Sequence, residues 1–381
     1  MPNKGTILTI LALISTMTIW SKDPLWTWEY EIAVFTLAGW ECLRPRSVPA
    51  VFFPIAAIGF WGFIQVALGS TVYRSATVNA SLQNLALAAT ALGSFYVLRD
   101  ASARAAFLRY VGWIGLVVSV VGILAYWTST GKILWIFSSA YPDNWGVFPS
   151  RNNFSQFLEL CFPVALHSAV KSGADGGKPN WSAAIAAAVM LGAGLASASR
   201  AGAVLLVVEA VVVLLLTKGR RHFLWLAFAG CAGAIAALAG AGTLVHRFAE
   251  DDPLQVRREI FRSTGAMIAE HPLRGYGLGT YSTVYPEFAE FDNGAAVEHA
   301  HNDWLEWASE GGVFYAVMWG LIAIWAVSPA LRSIWGIGIL AVFLHALVDY
   351  PFARLGISAW VFLLLGALAP EGRNYSRVGI K

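Results

Sequence analysis

The sequence predicts an all-α polytopic membrane protein with about twelve transmembrane helices and one large loop on the outer face. Three observations carry that prediction. Charged residues make up only 13% of the 381, about half their share in a soluble domain. The 57% of hydrophobic residues fall into repeated, nearly uncharged runs, and about 20 mostly apolar residues suffice to cross a hydrocarbon core. The 17 tryptophans suit membrane–water interfaces, where an apolar ring with a polar N–H is at home. A net charge of +3, scattered along the chain, provides no basic face for nucleic acid.

The runs, in order, are Thr6–Trp20, Glu31–Leu43, Ala50–Leu68, Leu82–Leu98, Tyr110–Thr128, Phe154–Val170, Ser182–Ala198, Ala201–Thr217, Phe223–Thr243, Leu305–Pro329, Ile334–Val348 and Leu355–Ala369. Backbone polar groups in lipid must be satisfied within the segment, so these are helices. The alternating pattern of a barrel strand is not seen. Lys4 followed by the first run has the look of a signal peptide, but no small-x-small site follows, so a retained first helix is expected. Cys42, Cys161 and Cys231 lie in or beside apolar runs and give neither a disulfide framework nor a metal spacing. No internal repeat stands out, which weighs against an inverted-repeat transporter. The segment Lys171–Asn180 reads as a plain turn.

Orientation follows from the cations of the short loops. With the N-terminus cytoplasmic, the inside segments collect Lys4, Arg44, Arg46, Arg99, Arg104, Arg109, Lys171, Lys178, Lys218, Arg220, Arg221, Arg332, Arg373, Arg377 and Lys381. The outside short loops hold fewer: Lys22, Arg74, Lys132, Arg151, Arg200 and Arg354. Both termini are therefore expected inside, with the long loop 244–304 outside.

That loop holds most of the polar chemistry. In Leu254–His271, Val256, Ile260, Phe261, Met267 and Ile268 fit one helical face, with Arg257, Arg258 and Arg262 on another sector. Such a helix would lie along the membrane surface, or its arginines would hold a phosphate. Pro272 to Thr280 carries Gly275, Gly277 and Gly279 at the wrong spacing for a dinucleotide fingerprint, and a flexible outer turn is expected. Glu298-His-Ala-His-Asn-Asp303 then leads into an apolar helix that Asn302 or Asp303 can cap. Three readings of this cluster stand open: a solvated loop, a general base at His301, or a metal site from Glu298, His299, His301 and Asp303. His345 and Asp349, four apart near a helix end, are expected to pair with each other.

Arg200 sits between two apolar runs with almost no connecting chain. It either snorkels from a turn or, at a helix start, helps to hold an anion. Arg151 is placed similarly before a run on the same side. Arg151, Arg200 and Arg257 with one histidine around a membrane-level cavity suggest a lipid-linked diphosphate substrate, because guanidinium groups match phosphate oxygens bidentately.

Five stretches, in order, resemble the bacterial O-antigen ligase/polymerase superfamily. They are Ser150-Arg-Asn-Asn-Phe with Leu-Glu-Leu-Cys-Phe-Pro163; Ser197-Ala-Ser-Arg-Ala-Gly202; Arg257-Arg-Glu-Ile-Phe with Met267-Ile-Ala-Glu-His-Pro-Leu-Arg-Gly-Tyr-Gly-Leu-Gly-Thr-Tyr281; His299-Ala-His-Asn302; and His345-Ala-Leu-Val-Asp-Tyr-Pro-Phe352. His301, Asn302, Gly312 and Tyr315 satisfy the motif of the ligases. The resemblance covers residues 150–352, which divides the chain into an N-terminal transmembrane bundle (1–149), a catalytic region with the periplasmic loop 244–304, and a last helix with a cytoplasmic tail (353–381).

The resemblance implies a GT-C-like membrane glycosyltransferase of the inner membrane that uses neither metal nor nucleotide sugar and needs no cofactor. It would move a glycan from undecaprenyl diphosphate to a sugar hydroxyl, lipid A–core in the ligases, at the periplasmic face, inverting the anomeric carbon. Repeat-unit polymerases and protein O-oligosaccharyltransferases share these signatures, and a lipid-linked glycan transporter is a further alternative. By motif position Arg200 and Arg257 would hold the diphosphate, with Arg151 and Arg258 nearby, and His301 would activate the acceptor. Asp303 or Glu298 would orient His301, or Glu298 would itself be the base.

Overall fold

The computed structural model describes residues 4–17, 19, 24–43, 47–139, 144–174, 180–217, 222–240, 242–249, 255–290, 294 and 296–372. Lys22, Arg44, Arg46, Lys178, Lys218, Arg220, Arg221, Arg373, Arg377 and Lys381, used above for orientation, lie outside these residues, as do Trp20 and Leu254.

Among the described residues the chain is all-α apart from one short hairpin. Its helices are α1 (Lys4–Met17), α2 (Pro24–Cys42), α3 (Phe52–Ala67), α4 (Arg74–Leu98), α5 (Ala101–Thr128), α6 (Arg151–Ala174), α7 (Trp181–Ala196), α8 (Arg200–Leu216), α9 (His222–Ala239), α10 (Gly242–Phe248), α11 (Gln255–Glu270), α12 (Tyr281–Val284), α13 (Asp303–Arg332), α14 (Ile337–His345) and α15 (Leu355–Leu368). The hairpin pairs β1 (Lys132–Ile133) with β2 (Phe137–Ser138).

A helix occurs at each expected apolar run. Three of them, α4, α5 and α13, are long and apolar enough to cross a membrane by themselves, and α9 with α10 forms a fourth candidate bent by 86°. Several helices start earlier than the apolar runs do. α5 begins at Ala101, not Tyr110, because Asp100 caps it: its Oδ1 accepts from the Ala103 amide at 2.8 Å. Apolar pattern marks where lipid begins, whereas a cap marks where the helix begins.

Two helices form the centre. Every residue of α15 from Gly356 to Leu368 is buried, and so is α6 from Asn153 to Leu166. A helix buried all round must be ringed by others. α4 approaches α15 closely enough for Ser94 Oγ to donate to the Leu363 carbonyl at 2.6 Å, and α1 joins through Trp360 Nε1 to Thr16 Oγ1 at 3.0 Å. The outside is apolar instead: Leu238 is 85% exposed, Leu215 77% and Phe53 74%. Water would not tolerate that much exposed apolar surface, and lipid does. The protein is an all-α membrane protein.

The interior is more polar than the runs suggest. Glu159 and Glu209 are buried on α6 and α8, and Glu159 Oε1 meets His345 Nδ1 of α14 at 2.7 Å. Pro163 lies one turn after Glu159 and has no N–H to give its carbonyl. That carbonyl faces Gly338, where a Cβ would come within 2.0 Å of it. α14 packs onto α6 at this point only because residue 338 has no side chain.

Candidate functional site

α13 is broken near its start. Gly312 has φ 71 and ψ −175 inside the helix, a conformation for glycine. The break leaves carbonyls without helical partners, and the segment 272–281 supplies the N–H groups. Tyr276 donates to the Ser309 carbonyl at 3.0 Å and Gly277 to that of Glu310 at 2.9 Å, while the Val313 amide reaches Pro272 O at 2.9 Å. Gln65 of α3 bonds the carbonyls of Arg274 and Glu310 and accepts from Leu278 N, at 2.6, 2.8 and 3.1 Å. The Glu310 carboxylate takes the amides of Gly279 and Tyr281, at 2.9 and 2.8 Å. The expected flexible outer turn is instead a docked segment, because a broken helix needs its hydrogen bonds completed.

α11 is corrected in the same way. Its Ile260 and Met267 are buried against Tyr276, Tyr281, Val284, Tyr285 and Ala300, and Thr264 Oγ1 hydrogen-bonds Tyr281 OH at 2.8 Å. Of the apolar face expected to lie on lipid, Ile260 and Met267 are covered by the loop's own small core, while Phe261 and Ile268 are half-buried. Val256, at the helix start, stays exposed.

The histidine segment is stitched to the turn after α14. Asn302 caps α13 by accepting from Leu305 N at 3.1 Å, and its amide donates to Leu347 O at 2.8 Å. Asp303 N donates to Ala346 O at 2.9 Å. His301 is held at φ 52, a left-handed conformation that a non-glycine residue keeps only when its surroundings fix it. The result places His301 Nδ1 at 3.4 Å from Asp349 Oδ1. With Nδ1 facing the carboxylate, Nε2 is left to take a proton. His301 is 34% exposed and Asp349 only 4%, so the pair has one open end.

Asp349 is fixed from three sides. Its Oδ2 accepts from Gln156 Nε2 at 3.0 Å, and Gln156 Oε1 is held by Asn153 Nδ2 at 2.9 Å. Arg257 Nη2 lies 4.0 Å from Oδ1, and its Nη1 donates to the Val348 carbonyl. Burial alone would raise the Asp349 pKa. The His301 hydrogen bond and the charges of His345 and Arg257 outweigh it and hold the carboxyl below its ordinary value.

A second pair stands beside the first. His299 Nδ1 meets Glu306 Oε1 at 2.9 Å, and Glu306 Oε2 accepts from Ala300 N at 2.7 Å. Both histidines contact Tyr350: His299 stacks at 4.6 Å and His301 meets the ring at 4.9 Å, tilted by 69°. The Arg354 guanidinium lies 5.5 Å from the same ring. A cavity of about 210 Å³ opens on the His299 side, lined in part by Asn84, Tyr281, Glu298, Glu306 and Glu310.

The sequence-derived candidates divide. Arg257 and His301 come together through Asp349. Asp303 does not reach His301; its Oδ2 accepts from Phe352 N at 2.9 Å, which fixes the turn after Tyr350. Glu298 is exposed at the cavity rim. Arg258 is exposed on α11, Arg151 is half-buried as the first residue of α6, and Arg200 is the first of α8. Arg200 Nη1 donates to Arg247 O at 2.9 Å, and Arg247 Nη1 returns to Ala198 O at 2.8 Å. That crossed pair ties α10 to the α7–α8 turn. Of the metal reading, His299, His301 and Asp303 bond Glu306, Asp349 and the Phe352 amide, and the described residues contain no cluster of three metal-binding side chains.

Asp349 is the partner that the sequence misassigned. The spacing of four from His345 suggested a helical pair, but α14 ends at His345, so Asp349 turns toward His301 while His345 takes Glu159. Among curated proteins none matches this chain. Residues 185–320, which include Arg200, Arg257 and His301 but end before Asp349, match the family model described as O-antigen ligase, so over that stretch the chain is similar to the O-antigen ligase-like superfamily.

Proposed function

We propose that this protein is an inverting membrane glycosyltransferase of the O-antigen ligase type. It moves a glycan from undecaprenyl diphosphate to a sugar hydroxyl, lipid A–core being the acceptor, at the periplasmic face of the inner membrane. The observation that carries this reading is the His301–Asp349 pair, with the histidine side chain 34% exposed and Arg257 on the same carboxylate. The family-model match over residues 185–320 supports glycosyltransfer in general.

In the reaction, the acceptor oxygen attacks the anomeric carbon. The bond from that carbon to the diphosphate oxygen breaks, and its electron pair leaves with the diphosphate. His301 Nε2 takes the hydroxyl proton, and Asp349 stabilises the imidazolium that forms, the division of labour of a Ser-His-Asp triad. Guanidinium groups of Arg257, Arg200, Arg151 and Arg258 neutralise the leaving group without a metal. Residues 150–352 form the catalytic region in a GT-C-like arrangement, with α3 and α4 bracing its loop. Both termini are cytoplasmic.

The test is in vitro transfer with purified protein, an undecaprenyl-diphosphate glycan and lipid A–core, products being resolved by size. His301→Ala and Asp349→Asn should each lower the initial rate by about 10²–10⁴-fold, the range for a positioned base. The double variant should be little worse than either, since the two act as one unit. Wild-type rates in His301→Ala would sink the assignment. A ladder of longer lipid-linked products, with lipid A–core untouched, would make the protein a repeat-unit polymerase.

A further inference from the structure

We propose that a second site, on the membrane face opposite His301, binds the phosphate of an anionic lipid headgroup. A cavity of about 410 Å³ lies between α5, α6 and the start of α7, a size in the usual range for small-ligand pockets. Arg104, Arg109 and Lys171 line it, with Glu371 as the carboxylate among its lining residues. Its position follows from α6, which begins with Arg151 near the catalytic cluster. Lys171 comes about 20 residues later, roughly 30 Å along the axis, and that is the thickness of the hydrocarbon core.

Three features point to a phosphate. The first is unspent positive charge. Glu371 is satisfied by Arg104 at 2.6 Å, and Arg104 is held in place by the Leu98 carbonyl at 2.8 Å. Arg109 and Lys171 are exposed and make no ion pair among the described residues. The second is the start of α7, a helix of 16 residues, which opens onto the cavity through Asn180, Ser182 and Ala183. A helix start adds partial positive charge; here Asn180 orders it, accepting from the Ala183 amide and the Ser182 hydroxyl at 3.2 and 2.8 Å and donating to Ser168 Oγ at 3.2 Å. The third is the wall, where Leu108, Trp113 and Val164 offer apolar surface beside the cations. A soluble anion has no use for that wall, while a lipid phosphate with its chain does. Basic pockets between transmembrane helices hold anionic headgroups in this way.

Phosphate is the shared chemistry of a lipid headgroup and a free anion, and two arms of one experiment separate them. Full-length protein in neutral detergent micelles is titrated with phosphatidylglycerol, with phosphatidylcholine as control, or with inorganic phosphate. Melting temperature and lipid retained in native mass spectrometry are read for wild type and for the double variant Arg109→Gln, Lys171→Gln. Both side chains are exposed and make no ion pair or hydrogen bond among the described residues, so the variant keeps the fold, which circular dichroism verifies. Phosphatidylglycerol should bind and stabilise the wild type, with affinity weaker by about fivefold for each cation removed and roughly thirtyfold for the pair. Equal phosphatidylglycerol binding by wild type and variant, or no preference over phosphatidylcholine, overturns the site. Protection by inorganic phosphate alone, lost in the variant, overturns the lipid source and assigns a free phosphate. Glycan transfer is not the readout, so the result stands apart from the fate of the catalytic reading.

Discussion

His299 and His301 are two residues apart, yet their carboxylates come from different elements, Glu306 on α13 and Asp349 after α14. Tyr350 touches both rings and keeps them separate. For His299, burial works against the charged ring, but the Glu306 carboxylate beside it prevails through charge and hydrogen bond and lifts the pKa above 6.5. A raised folded pKa contributes stability in full below the unfolded value, about 6.5, and loses it as pH climbs through the folded value. His299→Gln should therefore lower the melting temperature in detergent clearly at pH 6 and much less at pH 9. An equal loss at both would show that the ring's charge is irrelevant. At this scale the sequence could name His301 and Arg257 because their motifs are local. It could not name Asp349 or Gln156 as partners, since those hydrogen bonds join positions 48 and 193 residues apart.

Among the elements, α13 shows why pattern reading stops short. Its cap was narrowed to Asn302 or Asp303, of which Asn302 serves, and its apolar run was legible. The break at Gly312 was not, because a glycine inside a helical run is ordinary until its φ is known. The docking of 272–281 was hidden for a related reason: its anchor, Gln65, is more than 200 residues away and gives no local signal. Gly312→Ala tests the break. A Cβ there would meet the Leu273 carbonyl at 2.3 Å, and the positive φ is unfavourable besides, so a loss of about 1–3 kcal/mol or more is expected. Gly320→Ala on the same helix meets nothing within 4 Å and should be neutral or mildly stabilising. Thermal unfolding of the two variants side by side gives the answer, and equal melting temperatures would mean that the break is not required.

For the whole molecule, the arrangement is inverted relative to a soluble protein: leucines outside, carboxylates and histidines within. Composition alone foretold the outer surface. It gave no hint of Glu159 and Glu209 in the interior, because a single glutamate barely lowers the hydropathy of a long run. The orientation has its own test. In a background with Cys42→Ser and Cys231→Ala, both exposed cysteines, a cysteine replacing Arg258 should react with a membrane-impermeant thiol reagent in spheroplasts. A cysteine replacing Lys171 should react only after permeabilisation. The reverse pattern would turn the protein over in the membrane and put the His301–Asp349 pair on the cytoplasmic side.

The docked segment also dictates an order of assembly. Residues 272–281 leave the ribosome before α13 does, while Trp61 and Gln65 of α3 have long since been inserted. Until residues 309–313 emerge, Tyr276 and Gly277 have no carbonyls to meet, and Trp61 Nε1 lacks the Gly311 oxygen that it finally holds at 2.8 Å. The amino-terminal helices therefore wait, unfinished, for the late arrival of α13, and the docked segment closes over the seam only once residues 309–313 have emerged, before α14 and α15 are made. A nascent chain stalled before residue 309 is a different molecule, with an open flank on α3 that quality-control proteases can read.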